Sequence, residues 1–125
     1  MTIEAGLRGK AQLVVTEADT AVALRSGDVA VLGTPRIVAL VEEASIVAIG
    51  GRLPVGYTSV GMRVQLDHLS PTAIGATVNA ESTLDKVEGR RLTFTVSVSD
   101  SRGLVAAGKV TRVVVEVERF LDKAQ

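Results

Sequence analysis

A single histidine, two adjacent glutamates in an apolar stretch and a threonine beside a proline are the residues of this chain best suited to chemistry. His68 closes the segment TSVGMRVQLDHL. An imidazole titrating near its usual ~6.5 exchanges protons at neutral pH, which suits general acid–base work. Glu42 and Glu43 interrupt PRIVALVEEASIVAI. A carboxylate among apolar residues is costly unless exposed, paired or functional. One of the two is therefore expected to find solvent and the other a polar pocket. Thr34 precedes Pro35. It can cap a helix with its hydroxyl, and at a helix N-terminus, which favours negative charge, the same hydroxyl can meet a substrate. Arg112 shares strand parity with Val110 and Val114, and Gly61 interrupts an alternating strand, where a missing side chain admits a ligand or another backbone. Singly, each residue also has an ordinary structural use: a cap, a solvated charge, a strand-end histidine.

The composition removes several kinds of chemistry. The 125 residues contain no cysteine, so disulfides, thiolate metal sites and a cysteine nucleophile are excluded. One histidine cannot supply a multi-histidine metal site within one subunit. Fourteen basic side chains balance fourteen acidic ones, which leaves no footprint for broad nucleic-acid or membrane-surface binding. The start, MTIEAGLRGK, lacks an apolar leader, and no uncharged apolar run approaches the ~20 residues of a membrane helix. A soluble cytoplasmic protein is expected. Aromatic residues make up 2% of the chain, so the core must be aliphatic.

The elements that would position these residues read as follows. GKAQLVVT, 9–16, is a first strand. ADTAVALRSG is compatible with a short helix ended by Ser26–Gly27, followed by DVAVLG as a connection. A helix opens at Thr34–Pro35, with Thr34 as its cap, and stops at Gly50–Gly51. It is apolar around most of its girth and so should be buried on most sides. Beyond Pro54 the chain alternates like strands. TSVGMRVQLDHL places Val60, Met62, Val64, Leu66 and His68 on one face and Ser59, Gly61, Arg63, Gln65 and Asp67 on the other. GATVNAESTLDKV and RRLTFTVSVS follow around a turn at Glu88–Gly89. LVAAGKVTRVVVEVERF reads as one long last strand with LDKAQ as a frayed tail. Short turns between successive strands give an antiparallel meander, and one buried helix among strands suggests a sheet wrapped around it.

The joint spacing carries more than any single residue. Glu42 follows Thr34 by eight residues, and His68 follows Glu42 by 26. Gly61 stands seven before His68, and Arg112 stands 44 after it. This ungapped pattern, with VEGRRLTFTVSVSD as a hairpin, resembles the hotdog-fold thioesterases of the fluoroacetyl-coenzyme A thioesterase family over roughly residues 33–120. The resemblance implies an α+β hotdog fold, an antiparallel sheet around one central helix, as a single domain over 1–125. It implies hydrolysis of an acyl-coenzyme A thioester with no cofactor beyond the CoA of the substrate. Thr34, Glu42 and His68 would be catalytic, and Gly61 and Arg112 would bind substrate. Glu42 would orient His68 or attack the carbonyl, Thr34 would be nucleophile or hydrogen-bond donor, and Arg112 would contact the acyl end or the cofactor. It also implies a homodimer, or a dimer of dimers, with the site at the subunit interface. The Val-rich VVVEV has more apolar surface than one half-buried edge needs, and covering such an edge is a common remedy. Where the fluoroacetyl-specific enzyme has two lid phenylalanines, this chain has Arg25 and Asp28, so the fluorinated substrate does not carry over.

Two other readings share these residues. A non-catalytic acyl-CoA-binding hotdog dimer would leave Thr34 as a cap and Glu42 solvated. An enoyl-CoA hydratase would pair an aspartate with a histidine in a loop after the helix, whereas here Asp67 and His68 are adjacent in a strand with opposite parity.

Overall fold

The computed structural model describes residues 3–125. The first strand, β1, is Arg8–Val14, and a single 3-10 turn follows at Glu17–Asp19. Helix α1 is Thr34–Ala48, and four strands come after it: β2 Tyr57–His68, β3 Thr77–Glu88, β4 Arg91–Asp100 and β5 Gly103–Glu116. A short helix, α2 at Val117–Lys123, ends the chain. All strand pairs are antiparallel and run in the order β1-β3-β4-β5-β2, so β1 and β2 form the edges.

The core lies between the sheet and one side of α1. Ile37, Leu40, Val41, Ala44, Ser45 and Ala48 of the helix are buried. They meet inward residues of the central strands, among them Val78, Leu84, Phe94, Val96 and Val110. The helix was expected to be covered on most sides; instead Ile46 and Val47 stand about half exposed. A single curved sheet can cover only its own side of a helix, and the apolar excess of α1 is left on the other. Gly9 sets how closely they approach. A methyl group there would collide with the carbonyl of Ala44 and the amide of Ala48.

Several expectations change in detail. Residues 20–33 form turns and two isolated bridges, Thr20 with Leu32 and Val31 with Ala73, rather than a short helix. The last strand stops at Glu116, because β2 begins at Tyr57 and offers no partner beyond it. The Val117 amide bonds the Gly56 carbonyl instead, and the rest of the expected strand and the frayed tail wind into α2. The VVVEV segment lies mostly in β5, where Val113–Glu116 pair with β2 on one side and β4 reaches only as far as Val113 on the other. The exposed edge on the α1 side of the site is β2.

The most consequential change is a bulge in β2. Gly61 faces Arg112 and Arg63 faces Thr111, which leaves Met62 as an extra residue. Such an insertion reverses side-chain parity along the strand. Ser59 and Gly61 lie opposite the inward residues Val114 and Arg112, whereas Val64 and His68 lie opposite the inward residues Val110 and Ala106. Val60 and Met62 therefore do not share a face with His68, contrary to strict alternation.

Candidate active site

The helix N-terminus and the end of β2 bring Thr34 and His68 together. Gly33, not Thr34, occupies the cap position of α1, and no side chain caps that end. Thr34 is the first helical residue, and its hydroxyl lies 2.8 Å from His68 Nδ1. On the other side of the ring, Nε2 lies 3.1 Å from the carbonyl oxygen of Ser70. A carbonyl can only accept, so Nε2 donates to it. In the neutral imidazole Nδ1 is then the acceptor, and the Thr34 hydroxyl donates to it. A hydroxyl, a base and a group that orients the base stand in line, the arrangement that activates an oxygen nucleophile or a bound water. Ser70 is fixed in turn by its amide and that of Leu69, both of which bond the Val105 carbonyl.

A second cluster lies two turns further along the helix. Arg112 is buried, and each of its three nitrogens has a partner. Nε donates to the Ser59 hydroxyl at 2.9 Å, Nη2 to the Ser59 carbonyl at 2.8 Å and Nη1 to Glu42 Oε2 at 2.7 Å. Burial pulls the Arg112 pKa below its usual value, and the Glu42 carboxylate pushes back. Charge-assisted bonds of this kind are the strong ones, and they fix the carboxylate in one orientation. Glu42 Oε2 also sits against the Cα of Gly61, where any side chain would strike it. Glu42 is 28% exposed on its side chain and Glu43 is 51% exposed, paired with Arg36 at 3.1 Å. The division between one carboxylate in a polar pocket and one in solvent is as the sequence suggested.

The five expected residues thus fall into two groups. Thr34 pairs with His68, and Glu42 pairs with Arg112 beside Gly61. Among the described residues of one chain no hydrogen bond joins Glu42 to His68, and His68 Nε2 is held by the Ser70 carbonyl. Eight helical residues separate the two groups by about 12 Å along the axis. Arg112 is engaged by Ser59 and Glu42, and so it holds the Glu42 carboxylate in place. Ser59 and the Ser70 carbonyl were missed. Ser59 shares an inward face with Gly61, a signal available once the parity was known. The role of Ser70 is played by its backbone, which side-chain identity does not disclose. Asp67 lies on the outer face, exposed, away from Thr34.

The loop before α1 is tied to it by Asp19. Its carboxylate accepts from the amide and hydroxyl of Thr16 at 2.8 and 2.9 Å and pairs with Arg36 at 3.3 Å. The Thr16 amide bond is the main cause that holds the Asp19 pKa below the ordinary carboxylate value, against the opposing effect of burial. No group of carboxylates and histidines suited to a metal ion occurs among the described residues.

An antiparallel sheet curled over one helix, with an acid–base pair at the helix start and a clamped carboxylate along it, defines a hotdog-type α+β domain. The model of the fluoroacetyl-CoA-specific thioesterase family, FlK, matches residues 15–118, and the chain belongs to that family. It is 34% identical over 95 residues to the fluoroacetyl-CoA thioesterase of Streptantibioticus cattleyicolor, covering 76% of this chain and 68% of that protein. A solved structure of fluoroacetyl-CoA thioesterase FlK superposes with a TM-score of 0.93 at 29% identity, over 99% of this chain and 96% of the other. A hot-dog-like protein from Thermanaerovibrio acidaminovorans superposes with a TM-score of 0.88 at 28% identity, over 96% and 89% of the two chains.

Proposed function

We propose that this protein hydrolyses an acyl-coenzyme A thioester to the free acid and CoA, with Thr34, Glu42 and His68 as the catalytic set. The observation that carries this is the Thr34–His68–Ser70 line. It gives a base with a fixed tautomer, aimed at a hydroxyl on a helix N-terminus. His68 Nδ1 takes a proton from the attacking oxygen, and the resulting N–H returns it to the leaving thiolate. The Ser70 carbonyl accepts from Nε2 throughout. The Glu42 carboxylate, held by Arg112, orients the attacking water; in the alternative course it attacks the carbonyl itself to give an anhydride, protonated His68 gives its proton to the leaving thiolate, and His68 then takes a proton from the water that opens the anhydride. The Gly61 amide lies on the same side and is a candidate donor to the acyl carbonyl. No cofactor is needed beyond the CoA of the substrate. Membership of a thioesterase family supports this reading, as does a variant of FlK solved with fluoroacetate and CoA, 30% identical.

The two groups act together across a homodimer in this reading. Strand β2 is an edge of 12 residues whose outer backbone groups lack a partner strand. Edges of that length are normally covered. Gly61 and Met62 lie near its middle, exposed, beside Glu42. A second copy pairing there by two-fold symmetry would bring its own residues over Glu42. No helix among the described residues is long and apolar enough to cross a membrane. A cytoplasmic setting accords with that and with the substrate.

The test is release of CoA from acetyl-CoA by wild type, Glu42→Gln, His68→Ala and a refolded mixture of the two variants. Loss of acid–base help predicts a fall of at least about tenfold for His68→Ala with the protein still folded. An unchanged rate would refute its assignment. If Glu42 and His68 serve one thioester from different subunits, mixing restores about a quarter of wild-type activity, since half the dimers are mixed and each has one intact site. Absence of restoration overturns the shared site and places both residues in one protomer's site. Tight binding of intact acyl-CoA without turnover would favour a binding protein instead.

A further inference from the structure

We propose that Pro71 is the positioning residue of His68: it locks the one peptide plane whose carbonyl holds the imidazole. Its effect on turnover rests on the thioesterase reading above, whereas its effect on the ring does not. The oxygen that accepts from His68 Nε2 at 3.1 Å belongs to the Ser70–Pro71 peptide. On the N-terminal side of that peptide the chain is pinned to β5. There Val98 pairs with Ala106 and Ser99 with Leu104, which leaves Val105 as an extra residue in β5. Its carbonyl accepts from the Leu69 amide at 2.8 Å and from the Ser70 amide at 3.2 Å. On the C-terminal side the chain is pinned to the loop before α1. The Thr72 carbonyl accepts from the Leu32 amide at 2.9 Å, and Ala73 forms a bridge with Val31.

Between these anchors the soft motion is rotation of the Ser70–Pro71 plane. A planar peptide turns only through the bonds that flank it, here ψ of Ser70 and φ of Pro71. The proline ring fixes its own φ at about −65°. Its Cδ also keeps the preceding residue out of the helical region, which limits ψ of Ser70. One side chain therefore closes both hinges. With another residue at 71, the plane could turn its oxygen away from Nε2 while every anchoring hydrogen bond stayed in place. The turned plane would also bring an N–H towards Nε2. An N–H there donates, so the ring proton would move to Nδ1 and the acceptor facing the Thr34 hydroxyl would be lost. Proline carries no N–H, so this plane can offer the ring only an acceptor. The Pro71 ring is exposed, so burial in the core does not account for it.

The experiment uses the fact that the chain has a single imidazole. With histidine nitrogen isotopically labelled, NMR reads the two ring nitrogens of His68 without overlap in wild type, Pro71→Gly and Pro54→Gly. Pro54 is likewise exposed, in the loop between α1 and β2, and controls for the loss of a proline as such. Above about pH 8, where an ordinary imidazole is neutral, wild type and Pro54→Gly should carry the proton on Nε2, protected from exchange. Pro71→Gly should lose that protection and give signals averaged between the two tautomers. Its kcat for CoA release from acetyl-CoA should fall at least about fivefold, the worth of one hydrogen bond, with KM within about twofold of wild type. Pro54→Gly should keep the wild-type kcat, and both variants should melt within about 5 °C of each other. A proton on Nδ1 in wild type, or ring signals in Pro71→Gly identical to those of wild type, overturns the proposal. Altered ring signals with a wild-type kcat overturn its bearing on turnover. If Pro71→Gly does not fold, Pro71→Ala is read by the same signals, with a smaller loss of about twofold in kcat expected. Absence of CoA release by wild type overturns the thioesterase reading, and the ring signals then still decide whether Pro71 orients His68.

Discussion

Replacing Gly61 by alanine separates the chemistry of this fold from its stability. Gly61 is not among the residues of positive φ, so its backbone accepts a side chain without strain. Gly→Ala in such a conformation reduces the freedom of the unfolded chain and stabilises by about 0.5 kcal/mol. The added methyl would nevertheless overlap Glu42 Oε2, and it would stand 3.5 Å from Glu42 Cδ and 3.6 Å from Arg112 Nη1. The guanidinium cannot yield, since Ser59 holds its other two nitrogens and it is buried. The carboxylate is the flexible partner and must swing away by about 1 Å. A displacement of that size at a reacting group costs on the order of 100-fold, or about 2.7 kcal/mol of transition-state stabilisation. The assay is CoA release from acetyl-CoA, with a thermal melt in parallel. Expected are a fall of about two decades in kcat/KM and a Tm within about 3 °C of wild type. Wild-type kcat/KM in Gly61→Ala would refute the argument that the clamped position of Glu42 matters. A melt lowered by more than about 10 °C would refute the argument that only the carboxylate moves.

Gly9→Ala should show the opposite pattern. Its methyl would meet helix backbone at Ala44 and Ala48, which cannot swing aside, so a loss of at least about 2 kcal/mol of unfolding free energy is expected by denaturant titration. A variant as stable as wild type would show that α1 can lift off β1 freely. The Asp19 cluster gives a pH dependence. Its folded pKa is depressed, so the stability it contributes is fully present above the unfolded value near ~3.9 and is lost as pH falls through the folded one. Asp19→Asn should therefore be less stable than wild type at pH 7, with the difference shrinking in melts below about pH 4. A difference that does not change with pH would exclude an ionised Asp19 as the source.

The meander, the buried helix and its end at the paired glycines were legible because hydrophobic period and turn chemistry are local properties. The division of labour between Glu42 and Glu43 was legible for a related reason. Two adjacent carboxylates on an apolar helix project about 100° apart and must find different surroundings. Residues 20–33 were not legible. Their conformation depends on Asp19 reaching Thr16 and Arg36 and on bridges to Leu32 and Ala73, none of which is a local preference. The end of β5 was misread because strand length depends on the partner strand, and β2 begins at Tyr57.

What could be put forward from the chain alone is five candidates, Thr34, Glu42, Gly61, His68 and Arg112, singled out because their spacing resembles that of the thioesterase family, and the order of the elements that bear them. How the five divide was decided by tertiary structure. One extra residue, Met62, reverses the parity of β2, so that Gly61 and His68 both face the helix although strict alternation separates them. Packing then commits Arg112 to Glu42 and Ser59, and it leaves the Ser70 backbone to hold His68. A bulge is visible only in the pairing of two strands, and a backbone acceptor has no side-chain signature, so neither could be read from the chain alone.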